Sequence, residues 1–306
     1  MSAHDDGSRA DAGTPPDLDV LWDFTDPAAS EARFRALLPS ARSHPGRHAE
    51  LLTQVARAQG LQRAYSAAHA TLDQAESLLH SAGPRTRVQY LLERGRVVNT
   101  AGEPEQAAPS FTAAWELARA EDEDALAVDA AHMLGIVLPP PDGLEWSHRA
   151  LALATSSTDP RAQRWQGSLL NNLGWTHHDM SDFEAALDLF TRAASWQDAH
   201  GTAESRRIAR WSVARTLRSL GRVSEALERQ RALHAELTSA RQEDGFVDEE
   251  IGECLLDLGH AAEARPYFAA AYAALSQDAT LARYEPDRLR RLHDLSRESG
   301  VRSKTG

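Results

Sequence analysis

The chain has 306 residues, 42 % hydrophobic and only 6 % aromatic, with a formal net charge of −12 and one cysteine, Cys254. The charge argues against a nucleic-acid backbone or an anionic membrane as main partner, and a lone cysteine excludes an intramolecular disulfide and a multi-cysteine metal centre. Heavy alanine use, few aromatics and no long alternating run point to an all-α chain.

Residues 1–17 form an acidic, Gly/Pro-rich tail that reads as disordered and lacks the pattern of a signal peptide. No later stretch approaches the ~18 apolar residues of a membrane span, so a reducing cytoplasm is the expected setting. Residues 18–48 read as an N-terminal capping segment. Its apolar strip Leu18–Phe24 is followed by Asp26-Pro27, an N-cap with proline at the first helical position, opening a helix to about Leu38.

Residues 49–283 are periodic, with units starting near 49, 88, 124, 167, 207 and 245. The clearest unit is Leu169–Ala193. Leu170, Leu173, Gly174 and His177 share one face of a first helix, and Phe183, Ala186, Leu187, Phe190 and Ala193 form the stripe of a second. Ser181-Asp182-Phe183-Glu184 between them has the form of a capping box. A small residue recurs at Gly95, Ala131, Gly174, Ala214 and Gly252, where the two helices of a unit must approach closely. Ala107, Ala186, Ala226 and Ala264 follow twelve residues after four of these, and Phe111, Phe190, Gln230 and Phe268 four residues later still. The first unit is looser, with Ala56, Ala68 and Leu72; the third is the poorest, with Gly143 and Ser147 in the places of the alanine and the aromatic. The run Pro139-Pro140-Pro141-Asp142-Gly143 replaces a tight turn and is the expected irregularity. Residues 284–298 read as a C-terminal capping helix with Leu289, Leu292 and Leu295 on one stripe, and 299–306 as a polar tail.

These spacings resemble the W-x2-L-G-x2-Y…A-x3-F code of tetratricopeptide-repeat (TPR) proteins, in the longer variant units of bacterial type. The resemblance implies a right-handed superhelical solenoid of about six helix-turn-helix units, capped at both ends. It also implies a concave groove, lined by the first helices, that binds a peptide or protein segment without catalysis. On that reading Arg96, His132, Asn171, Trp175, His178, Trp211, Arg215 and Arg218 line the groove: indoles to anchor apolar side chains, amide and guanidinium groups to hold a carboxylate or backbone. The lysines of carboxylate-clamp TPR proteins are missing. A bland alternative stands beside it, in which Arg96 pairs with Asp129 and Arg215 with Glu249 or Glu250 between units. His177 and His178 project ~100° apart on a helix and are poor joint ligands, so no metal and no cofactor is expected. No nucleophile elbow, Walker loop or strand–glycine–helix unit is present, and Cys254 reads as packed rather than catalytic. The alternative function is a ligand- or peptide-responsive regulator whose superhelix changes shape on binding.

Overall fold

The computed structural model describes residues 18–297; the expected disordered stretch 1–17 and the polar tail 299–306 lie outside them. Among the described residues there is no strand, and no helix is long and apolar enough to cross a membrane. The chain divides into two compact units at Pro139/Pro140.

In the first unit a short 3-10 turn, Leu18–Leu21, precedes α1 (Pro27–Ala41), α2 (Pro45–Leu61), α3 (Tyr65–Leu78), α4 (Pro84–Thr100), α5 (Pro104–Ala120) and α6 (Asp124–Val137). The expected N-cap is in place: Asp26 accepts the Ala29 N–H at 2.9 Å, and the helix it opens runs on to Ala41. Leu18 packs with Phe34, Ala41, Leu51 and Val55, so the opening strip closes the exposed side of α1 and α2. Pro45, Pro84 and Pro104 each stand at a first helical position, where the missing N–H costs nothing.

The second unit contains α7 (Asp142–Ser156), α8 (Pro160–Gln163), α9 (Gln166–Asp179), α10 (Phe183–His200), α11 (Ala203–Ser219), α12 (Val223–Ser239), α13 (Gly245–Asp257), α14 (Ala261–Leu275), α15 (Ala279–Tyr284) and α16 (Pro286–Arg297). The break falls in the triple-proline run, so α6 and α7, the helices of the poorest repeat, belong to different units. α16 packs on α14 and buries Leu289 and Leu292 in the core of this unit.

Five helix pairs, α2/α3, α4/α5, α9/α10, α11/α12 and α13/α14, are built alike. In three of them a glycine faces a fully buried phenylalanine sixteen residues later: Gly95 and Phe111, Gly174 and Phe190, Gly252 and Phe268. A Cβ at any of the three glycines would meet the ring at 2.5–2.8 Å, well inside carbon contact distance. The other two pairs carry Ala56 with Leu72 and Ala214 with Gln230, so a methyl on the first helix goes with a narrower side chain on the second. Ring and methyl compete for one space.

Each pair also turns the same way. A residue in the left-handed region, Arg63, Gly102, Ser181, Gly221 or Gly259, ends the first helix. The next N–H then reaches back five residues, as from Asp182 to the His177 carbonyl at 2.9 Å and from Arg222 to the Leu217 carbonyl at 2.9 Å. This closing bond satisfies a helix-terminal carbonyl. It also corrects the expected capping box. Ser181, at φ 62°, is the turn residue and caps nothing; Asp182 holds the N-cap place, and its carboxylate lies 3.0 Å from His177 Nδ1.

Candidate functional site

The groove residues expected from the repeat register fall in both units, Arg96 and His132 in the first and the other six in the second. Each unit has its own first-helix surface.

In the first unit Arg96 on α4 is enclosed by carboxylates. Its Nη2 lies 2.5 Å from both oxygens of Asp129 on α6, and its Nη1 bonds Glu93 one turn earlier. Burial works against the Arg96 charge, but Asp129 and then Glu93 outweigh it and push the guanidinium pKa up. Glu93 is also 3.6 Å from Arg57 on α2, whose guanidinium stands over the stacked rings of Trp22 and Phe24, 5.4 Å from each. His132 is one turn beyond Asp129; burial lowers its pKa, Arg96 adds to the effect and Asp129 opposes it.

In the second unit α9, α11 and α13 bring an aromatic row together. Trp175 on α9 lies 5.8 Å from Trp211 on α11, ring centre to ring centre, and Trp211 lies 6.2 Å from Phe246 on α13. The Trp211 indole donates to the Phe246 carbonyl at 3.0 Å, tying α11 to the start of α13. Beyond Phe246 the row ends on Arg288 of α16, whose guanidinium stands 5.2 Å over the ring. Both indoles are half-buried: Trp175 also meets Phe190 at 4.9 Å, so part of each serves the core and part faces outward. His178 sits between Trp175 and Phe183, with Ser219 Oγ 3.0 Å from its Nε2. Burial holds its imidazole below the usual range, with Arg215 adding and Asp179 opposing. The Asn171 side-chain oxygen is buried and meets no donor among the described residues.

Arg215 and Arg218 converge on one buried carboxylate. Arg215 Nε lies 2.9 Å from Glu250 Oε1; Arg218 reaches the two oxygens at 2.9 and 3.1 Å. The bland pairing therefore holds in space for Arg96 with Asp129 and for Arg215 with Glu250, while Glu249 goes to Arg288 at 2.5–3.1 Å. Glu253 is taken by Arg291 of α16. The Cys254 thiol is fully buried on the same helix, and burial pushes it up to about 12. Among the described residues no group of three His, Cys, Asp or Glu side chains could hold a metal ion.

Sequence reasoning missed Phe246 and Arg288, and it named Glu250 only as a partner for Arg215, not for Arg218. A signal for Phe246 exists. It stands 35 residues after Trp211, itself 36 after Trp175, so the aromatic recurs once per unit, slipping one helical turn toward the N-terminus each time.

No family model matches the chain, and no curated protein matches it in sequence. Solved structures do. The apo form of RapI is similar with a TM-score of 0.69 at 9 % identity, over 86 % of this chain and 76 % of that one. A signal-transduction ATPase of the STAND type from Pyrococcus horikoshii, with a tetratricopeptide repeat sensor, is similar at 0.68 and 12 % identity; the match spans 88 % of this chain but 43 % of the ATPase. BtubC (BKLC) from P. vanneervenii is similar at 0.55 and 12 % identity, over 73 % and 93 % of the two chains. With the paired helices and the small-residue/ring code above, the fold is that of a TPR-type helical repeat protein.

Proposed function

We propose that the protein is a non-catalytic interaction module that holds a peptide or protein segment on the first-helix face of its second unit. The aromatic row Trp175–Trp211–Phe246 carries this reading: three rings on the first helices of three successive pairs, each ring only partly buried. Half-exposed rings on a rigid backbone lose little entropy on binding and present wide apolar area, which suits them as anchors. The arginines below them are engaged by carboxylates and act as a fixed polar floor rather than as free cations. The ligand is therefore read by its apolar and aromatic side chains, not by a terminal carboxylate.

Selection of peptides from a displayed random library against the full chain tests the assignment. Enriched peptides carry large apolar residues and lose about tenfold or more in affinity when Phe246→Ala and Trp211→Phe are combined, a loss of at least ~1.4 kcal/mol. Unchanged affinity in a folded double variant refutes the site. Division of the chain into two compact units, and the likeness to a STAND ATPase with a repeat sensor, favour a second reading, a regulator whose shape responds to the ligand. A selected peptide that alters the small-angle scattering profile supports the regulator; an identical profile supports the static module.

A further inference from the structure

Away from the first-helix face, the second helices α12 and α14 flank an open groove of about 810 Å³ with α13 as its floor. Asp248 of α13 projects into it with a side chain only 8 % exposed. Its Oδ1 is buried, and no donor meets it in hydrogen-bond geometry among the described residues. His234 of α12 comes nearest, with Nε2 at 3.3 Å but out of line, its ring edge-on to Tyr267 of α14. Burial pushes the Asp248 carboxyl above the usual range; His234 opposes this, and Asp244 and Glu243 reinforce it. Asp244 has its own cation, Arg207 at 2.8 Å. Arg241, exposed at the mouth, makes no ion pair among the described residues. A buried carboxylate lacking donors costs several kcal/mol, and native chains rarely leave one in that state.

We propose that this groove binds a primary alkylammonium group, with the ammonium on the groove-facing edge of the Asp248 carboxylate and the methylene stem along Leu237, Pro266, Ala270 and Ala273. The apolar walls suit a stem that stays dry while its tip is charged. With one of its oxygens shut away from solvent, the carboxylate suits a compact ammonium better than a planar guanidinium, which needs both oxygens. Glu243 and Asp244 also line the groove, but among the described residues no three such side chains come together to hold a metal ion. It is independent of the aromatic row, and its failure leaves that reading untouched.

Calorimetric titration of the full chain at low salt near pH 7.5, with cadaverine, with Nα-acetyl-lysine methylamide and with pentanol as the neutral control, tests the proposal. Both amines saturate the protein and pentanol does not. Asp248→Asn weakens the amines about tenfold or more while helicity is retained and the melting temperature is unchanged or raised. Arg241→Gln removes a cation from the mouth and tightens them about threefold. The tighter of the two amines tells whether a lysine of a partner chain or a free diamine is the source. No saturable binding up to about 10 mM overturns the proposal, as does amine binding that survives Asp248→Asn or weakens in Arg241→Gln. If the asparagine variant does not fold, the Asp248 carboxyl carbon shift of the wild type decides: it moves on amine addition, and a static shift refutes the site.

Discussion

Gly174→Ala places a methyl where the Phe190 ring already is. The new Cβ would lie 2.6, 2.7 and 2.8 Å from Cε1, Cδ1 and Cζ of the ring. Relaxed carbon contacts are ~3.5–4.0 Å, so three atoms overlap by about 1 Å at once. The ring is fully buried and cannot swing out, so α9 and α10 must part. Overpacking of this kind costs about 1–3 kcal/mol, and three simultaneous overlaps put it at the upper end. Alanine returns ~1 kcal/mol of helix propensity, leaving a net loss of about 2 kcal/mol. In the second unit that is a fall in melting temperature of about 4–8 °C, read by tryptophan fluorescence or circular dichroism. Phe190→Leu alone loses about 1–2 kcal/mol by leaving a cavity. The double variant reproduces the Ala56/Leu72 pairing, so its loss is smaller than the sum by about 1–2 kcal/mol. Gly174→Ala at or above wild-type stability, or strict additivity in the cycle, refutes the reasoning.

Gln230 is fully buried with neither amide atom bonded among the described residues, so Gln230→Leu, matching Leu72 opposite Ala56, raises stability by about 1–3 kcal/mol in denaturant titration. Ser181 carries a left-handed φ that costs an L-residue about 1–2 kcal/mol, partly offset in glycine by unfolded-state freedom, so Ser181→Gly stabilises by up to ~1 kcal/mol while Gly221→Ser does the reverse. His132, His148 and His178 all have pKa values lowered by burial, so below about pH 6.5 the unfolded chain takes protons that the fold refuses. Their contribution is full above that pH and is lost as pH falls toward their folded pKa values; the raised Asp248 carboxyl acts in the opposite sense. The melting temperature of His178→Asn accordingly falls less than that of wild type between about pH 7.5 and 5.5, and equal falls count against the assignment.

The pairing of helices was readable because its code is local. Sixteen residues separate the small residue from the side chain packed on it, and that offset survives in units that keep little else. An irregularity at Pro139–Pro141 was readable for the same reason, since prolines in series lack the donors a helix or a tight closing bond needs, but the division of the chain into two units there was not. Ser181 was misread because one tetrad serves two motifs. Ser-x-x-Glu suits a capping box, but the Asp182 N–H is taken by the His177 carbonyl, and that bond fixes Ser181 as the turn residue. The competing backbone bond is invisible in a four-residue window.

The arginines show where a sequence register stops being informative. A guanidinium waiting for a ligand and one held by its own chain occupy the same helical positions. The difference lies one repeat downstream: Glu93 for Arg57, Asp129 for Arg96, Glu250 for Arg215 and Arg218. In the last pair the order reverses, with Glu249 and Glu253 on α13 and Arg288 and Arg291 on α16. Such pairs neutralise one another in sequence along the first helices, and a carboxylate ligand would have to displace a buried internal partner, which costs more than an exposed pair returns. What the second unit leaves unspent is aromatic. Peptide binding on this face should therefore respond weakly to salt and strongly to ring removal, whereas a guest held by Arg215 and Arg218 would weaken steeply as ionic strength rises.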